Sequence, residues 1–264
     1  HTRYISVTGV QTCALPICLK LLLERGELGE RRVGVGFLAL GTVAARIGEV
    51  TLAVGAISEG SGAKGVNGVS KDSAVNSGAV YIYTRDNQGW KQQAYLKASN
   101  TAEGAQFGNA LSLSADGNVL AVSSTGEASS ATGVNGNQND RSMPSAGAVY
   151  VFSRSGTSWS QQAYLKASNA GGPDIGYQFG YALSLSSDGN TLAVSQTSDP
   201  SNGTGINGDQ KNTSTPEAGA VFVFSHSGGN WSQQAYIKPW NTTAANLLFG
   251  YSVGLNGDGN VLAV

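Results

Sequence analysis

Cysteine and charge are both scarce in this chain of 264 residues. Its only cysteines are Cys13 and Cys18, and none follows them. A disulfide scaffold or a cysteine-based metal site is thereby excluded from everything after residue 18. Charged residues make up 12% of the chain and nearly cancel, leaving a formal net charge of −1. That share is about half the usual ~25%, and it offers no basic footprint for nucleic acid or for an anionic membrane. No uninterrupted apolar run reaches the ~18–20 residues of a transmembrane helix, so membrane insertion is not expected. Glycine is abundant instead: the 37 glycines are about twice the usual share. With many Ser, Asn and Thr and few strong helix formers, the composition indicates short strands joined by turns.

What is present in quantity is repetition. FGNALSLSADGNVLAVSS (Phe107–Ser124) returns as FGYALSLSSDGNTLAVSQ (Phe179–Gln196) and begins again as FGYSVGLNGDGNVLAV (Phe249–Val264). The Trp of WxQQAY falls at 90, 159 and 231, and the Leu of LAV at 52, 120, 192 and 262. Self-similarity at a fixed period of about 70 residues marks a repeat architecture and outranks other signals.

From Thr51 each period holds four strand-like runs. ALSLS alternates apolar and polar positions, as a half-buried strand does. Asp116-Gly117 and Asp188-Gly189 supply the positive φ of a tight hairpin turn, and NVLAV or NTLAV returns. A polar loop of about 20 residues follows. GAVYIY, GAVYVF and GAVFVF are apolar at every position, which predicts a strand covered on both faces. A second polar hairpin leads to WxQQAY, the fourth strand. Four antiparallel strands per unit, packed face to face at a long period, predict an all-β fold: a partial β-propeller of about three four-stranded antiparallel blades. An extended β-solenoid is the runner-up, although solenoid repeats are shorter.

Residues 1–50 stand outside this pattern and read as a non-native or disordered leader, the product of a sequencing artefact or frameshift, with the repeats occupying 51–264 as an incomplete ring. VTGVQTCALPI (Val7–Ile17) resembles the translation of a sequencing-library adapter. LKLLLERGELGERR (Leu19–Arg32) has the pattern of a short amphipathic helix. Arg31-Arg32 and the apolar run after them mimic a signal peptide but sit inside the chain. Counting back one period from Phe107-Gly108 calls for an FG pair at 39–40, where Ala39-Leu40 stands. Thr51–Val54 is therefore expected to lack a first-strand partner.

In the motifs FG…LSLSxDGNxLAV…GAVYVF…WxQQAYLKAS, the chain resembles bacterial FG-GAP repeat proteins, relatives of the β-propeller of integrin α-subunits. The resemblance covers about Thr51–Val264 and implies blades in a ring, in secreted or cell-surface proteins that mediate contacts. The GAP half is retained only loosely, as Val54-Gly55-Ala56, Val122-Ser123-Ser124 and Val194-Ser195-Gln196. Integrin-like repeats carry calcium in the first hairpin on a DxDxDGxxD pattern. Here Leu120, Leu192 and Leu262 occupy the closing position of the patterns built on Asp116, Asp188 and Asp258, and calcium needs carboxylate oxygens there. Those aspartates read as turn residues, and no cofactor is expected, with weak calcium binding the alternative.

The long loops share a core: GVNG (Gly65–Gly68), TGVNGNQND (Thr132–Asp140) and TGINGDQKN (Thr204–Asn212). Their amides and carboxylates are of the kind that bind sugars or cations, and also of the kind that close turns on their own backbone. Asn67, Asn135, Asn137, Asn207 and Asp209 are the candidate ligand-facing residues, and Asp140 and Asp209 the candidate cation ligands. Trp90, Trp159 and Trp231, with Tyr95, Tyr164 and Tyr236, recur at strand spacing and read as packing between units rather than as sugar platforms. Gln92-Gln93 and their counterparts are expected to satisfy backbone groups at a sheet edge. His226 reads as a solvated turn residue. Neither GxSxG nor a phosphate loop occurs.

The expectation is a non-catalytic extracellular or cell-surface interaction module, not an enzyme. It would bind an unknown protein or glycan, without nucleic acid, and self-associate through open strand edges. The alternatives are the non-catalytic propeller of a secreted hydrolase and a lectin-like carbohydrate-binding propeller.

Overall fold

The computed structural model describes residues 51–170, 176–211, 213–241 and 245–264, and four short strands before them. Three of those strands, β1 (Arg3–Ser6), β2 (Lys20–Leu23) and β3 (Val33–Val35), form an antiparallel sheet in that order. Lys20–Leu23 is thus a strand and not the start of the helix expected over Leu19–Arg32. Leu21 and Leu22 are Cα partners of Ile5 and Tyr4, in a ladder that satisfies the backbone. Val7–Ile17 lies outside the described residues.

Three four-stranded antiparallel sheets follow, each with its strands adjacent in chain order. The first holds β4 (Val43–Arg46), β5 (Thr51–Ala56), β6 (Ala79–Asp86) and β7 (Gly89–Leu96). The second holds β8 (Phe107–Leu113), β9 (Val119–Ser124), β10 (Ala148–Ser155) and β11 (Ser158–Leu165). The third holds β12 (Leu183–Leu185), β13 (Thr191–Gln196), β14 (Ala220–Ser227) and β15 (Asn230–Ile237). A two-stranded sheet, β16 (Gly254–Leu255) and β17 (Leu262–Ala263), ends the chain. No helix occurs among the described residues, in line with the all-β expectation.

One expectation is corrected here: Thr51–Val54 does have a first-strand partner. β4 pairs with β5 as Val43↔Val54 and Ala44↔Ala53, the register that β8 makes with β9 as Leu111↔Val122 and Ser112↔Ala121. In that register Val43 takes the place along the ladder that Leu111 takes in the second sheet. The FG pair is not needed for that ladder.

The sheets stack on one another. One buried cluster joins Ala53, Val80, Ile82 and Leu96 of the first sheet to Phe107, Leu120, Tyr150 and Phe152 of the second. The other cluster joins Ala121, Val149, Val151 and Leu165, from the opposite face of the second sheet, to Phe179, Leu192, Phe222 and Phe224 of the third. Alternate residues of β10 therefore face opposite neighbours, which is why Ala148–Phe152 is apolar throughout and buried throughout. Trp159 and Trp231 belong to these clusters, as packing residues should, while Trp90 is half-buried.

The FG motif makes the seam between sheets. Phe107 and Phe179 are fully buried, each edge-on to the alternate aromatics of its own third strand. Their backbone N–H groups donate back to Ser77 and Ala146 of the preceding unit. Gly147 (φ +80°) lies so close to that seam that a Cβ would sit 2.3 Å from the carbonyl oxygen of Phe179. Only glycine fits such an approach at positive φ.

Candidate functional site: the long loops and the buried node behind them

Each long loop turns back along the fourth strand of its own sheet. Val66, Val134 and Ile206 form isolated antiparallel bridges with Leu96, Leu165 and Ile237. The next residue, Asn67, Asn135 or Asn207, adopts positive φ between 52° and 57°, a region that Asn tolerates better than most residues. Its Oδ1 accepts the backbone N–H of Tyr95, Tyr164 or Tyr236, at 2.9 Å in every case. Its own N–H donates to the carbonyl oxygen of the same tyrosine, at 2.7 Å in every case. These three asparagines, candidates for ligand contact, thus pin the loop to the outer strand while remaining exposed.

The other candidates act locally too. Asn137 Oδ1 accepts from the N–H of Asn139, and Asp209 Oδ1 from that of Lys211, two matching turns on exposed loop tips. Asp140 is half-buried and accepts from both the hydroxyl and the N–H of Ser130 and of Ser142. Those bonds, the Ser130 hydroxyl foremost, hold its carboxyl well below the ordinary carboxylate range. Asp140 and Asp209 belong to loops of different units. Among the described residues no group of three or more His, Cys, Asp and Glu is placed to hold a metal ion.

Behind the loops lies a feature that motif reading missed. Lys97, Lys166 and Lys238 are buried, and each reaches one carboxylate: Glu59 at 2.6 Å, Glu127 at 2.8 Å and Asp199 at 3.0 Å. Each acid opens its long loop, and each lysine follows the fourth strand, so the pair ties loop to strand within a unit. Burial pulls all three lysines below their ordinary range, and the acid beside each one opposes that shift. The neighbouring unit completes the node. Asn100 Nδ2 donates to Glu127 Oε1 at 3.0 Å, and Asn169 Nδ2 to Asp199 Oδ2 at 2.7 Å. Ser129 and Ser201 hydroxyls share hydrogen bonds with those of Tyr164 and Tyr236. Both tyrosines are pushed up by burial and then by the adjacent carboxylate, so they stay neutral donors.

The sequence did carry a signal for the node. In a chain so poor in charge, Glu59, Glu127 and Asp199 recur at the period, and so does the Lys that follows AYL or AYI. A charge repeated at the spacing of a buried strand has to be paired.

The second glutamine of the first WxQQAY motif bonds a side chain of the next unit. Ile82 pairs with Ala94 but Tyr83 with Gln92, so Gln93 is the extra residue of a β-bulge. The same shift recurs at Val151/Phe152 and Val223/Phe224. Released from the ladder, Gln93 Oε1 accepts the indole N–H of Trp159 in the next unit at 2.9 Å. The first hairpins use their aspartates as turn residues do. Asp116 Oδ1 accepts from Ser114 Oγ at 2.6 Å and from the Asn118 N–H at 3.0 Å, and Asp188 repeats the arrangement with Ser186 and Asn190.

The described residues therefore define a tandem-repeat, all-β protein with an ion pair on a buried lysine inside each of its three four-stranded units and FG seams between them. Compared with known families, residues 90–152 match the model of the FG-GAP repeat. That stretch runs from the fourth strand of the first unit to the third strand of the second, and it supports an FG-GAP-type protein. No curated protein matches the chain.

Proposed function

We propose that this chain is a non-catalytic interaction module of the β-propeller type, working outside the cell and presenting its long loops to a protein or glycan. The observation that carries this reading is the investment of each unit in one loop. A buried ion pair at the base and an Asn clamp midway hold a polar loop in a fixed shape, with tips such as Asn137 and Asp209 outward. Rigid scaffolds holding variable polar loops are where binding residues concentrate, and a pre-ordered loop loses little entropy on binding. The FG-GAP match over residues 90–152 agrees with a contact-making module.

The test is to screen the full chain against arrayed glycans and a panel of extracellular-matrix proteins. A hit should weaken at least tenfold in an Asn137→Ala/Asp209→Ala double variant and persist in Asp116→Asn. Turnover of an arrayed substrate, or a hit indifferent to the loop variant, would overturn the reading.

A further inference from the structure

Trp240 is 89% exposed, although tryptophan is a residue type that is highly buried on average. The other three tryptophans of the chain are held within the units. Trp159 and Trp231 are buried and Trp90 is half-buried. Trp231 lies against His226, which the structure places half-buried on β14 and not in the solvated turn expected for it. Trp240 also breaks the repeat. Lys97-Ala98-Ser99-Asn100 and Lys166-Ala167-Ser168-Asn169 return in the third unit as Lys238-Pro239-Trp240-Asn241. In the first two units that serine hydroxyl donates to the side-chain oxygen of a glutamine on the next long loop, Ser99 to Gln138 and Ser168 to Gln210. A large aromatic ring stands in the serine's place in the third.

The third long loop has a second apolar group at its surface. Val66 and Val134 pack against the buried clusters, but Ile206, their counterpart, is 71% exposed. The backbone brings the two groups to the same end of the loop. Ile206 bridges Ile237, and the N–H of Lys238 donates to the carbonyl oxygen of Gly205 at 2.9 Å. Trp240 follows two residues after that bond. Gly203 lies so close to the returning loop that a Cβ would sit 2.4 Å from the carbonyl oxygen of Asp209. Asp209 is thereby brought back beside Gly203 and Thr204, and both Thr204 and Asp209 are exposed.

We infer that Trp240 is the stacking platform of a carbohydrate site at the base of the third long loop. Resting on the loop reading above, this names the ligand class. One face of a pyranose ring presents C–H groups and its rim presents hydroxyls. A broad, rigid indole takes the C–H face at low entropic cost, with Ile206 as a further apolar group, and the hydroxyl of Thr204 and carboxylate of Asp209 suit the rim. Two other ligand classes fit less well. An extended peptide would add to a strand edge, but the fourth strand is already engaged there, since Asn207 Oδ1 takes the N–H of Tyr236 and Gly205 that of Lys238. A strongly charged partner finds no matching field, because the exposed loop residues Asp209 and Lys211 offset each other.

The experiment titrates the full chain with cello-, malto-, manno-, xylo- and galacto-oligosaccharides and follows tryptophan emission and its quenching by acrylamide, to which Trp240 is the most exposed contributor. At least one oligosaccharide should shift the emission saturably and shield it from acrylamide, and both effects should vanish in Trp240→Phe. By calorimetry, Trp240→Ala should weaken binding about tenfold or more, as truncation of a tryptophan anchor does, while Trp240→Phe stays within about threefold. Both variants should melt with wild type because the side chain is exposed, and the wild-type quenching measurement stands without either. A panel in which no oligosaccharide changes the emission would overturn the inference. So would an oligosaccharide that binds Trp240→Ala as tightly as wild type; if its binding still fell in the Asn137→Ala/Asp209→Ala variant, the loop reading would survive. An emission that moves with protein concentration and not with sugar would also overturn it, marking Trp240 as a contact between copies.

Discussion

The ammonium of Lys166 lies 2.8 Å from Glu127 Oε2, and neither side chain retains meaningful contact with solvent. Two charges removed from water are tolerated only when each answers the other and the remaining hydrogen-bond positions are filled. Here Asn100 of the preceding unit and the N–H of Ser129 fill those positions on Glu127 Oε1. Truncating one partner leaves an uncompensated buried charge, so Glu127→Ala should lower stability by about 3–5 kcal/mol. The matching change at Glu59, whose side chain is 20% exposed, should cost less, because water partly replaces the lost carboxylate. Denaturant melts of both variants check the order. Equal losses would mean that the node is not the clamp described above.

The four-stranded antiparallel unit was readable from period and alternation, because turn chemistry, apolar strands and recurring aromatics all spoke for it. Val43–Arg46 escaped notice since it lacks both motifs used as markers, FG and Asp-Gly. The node escaped for another reason: Glu59 and Lys97 are 38 positions apart, and neither sits in a motif that announces chemistry. At the loops, the sequence left two tasks open for the same residues, ligand contact or closure of their own backbone. Whether an Asn at a glycine-flanked turn bonds a ligand or its own strand depends on where the fourth strand passes. Composition says nothing about that.

An imperfection in the third unit yields a second prediction. The Tyr150 hydroxyl donates to Asn100 Oδ1 in the second node, but the third unit has Phe222 in that place. Asn169 Oδ1 is buried without a partner among the described residues. Phe222→Tyr should supply the missing donor and raise stability by about 0.5–1.5 kcal/mol, whereas Tyr150→Phe should lower it by about 1–3 kcal/mol. Chemical denaturation of the two variants measures both signs. A destabilised Phe222→Tyr would show that the cavity beside Asn169 is too small for a hydroxyl.

The carboxylates of the loops and hairpins set the acid limit. Asp140 is held low by the hydroxyl and N–H of Ser130 and by Ser142, and Asp188 by Ser186 and Asn190. A depressed folded value means stability that is complete above the ordinary carboxylate range near pH 4 and lost as pH falls through the folded values. Wild type should therefore weaken progressively below about pH 4, and Asp140→Asn should show a shallower loss over that window. Thermal melts from pH 5 to pH 2 give the comparison. Parallel curves would remove Asp140 from the account.

Calcium should have little to offer the first hairpins. Asp116 and Asp188 already accept from Ser and Asn donors on both carboxylate oxygens, and leucines stand where a closing carboxylate is needed. Millimolar calcium should leave the melting temperature within about 1 °C, since a ligand stabilises only when its concentration exceeds its dissociation constant. A larger rise that Asp116→Asn or Asp188→Asn abolishes would establish the site.

The last prediction concerns the apolar surface around β16 and β17. Tyr251 is 64% exposed and Val261 61%, and Leu247, Leu248 and Val264 are exposed beside them. On the sheet before it, Val223, Ala235 and Ile237 are half-open, where their counterparts Val151, Ala163 and Leu165 are buried against a complete neighbour. Among the described strands β17 pairs only with β16, so one side of it offers unpaired N–H and C=O groups next to that patch. An open strand edge beside exposed apolar side chains favours pairing with another chain. The chain should therefore associate as its concentration rises, and Tyr251→Lys with Val261→Lys should suppress this without lowering the melting temperature by more than a few degrees, because neither side chain is buried. Light scattering across a concentration series decides it. A wild type that stays monodisperse and monomeric throughout would mean that this edge is protected by the chain itself.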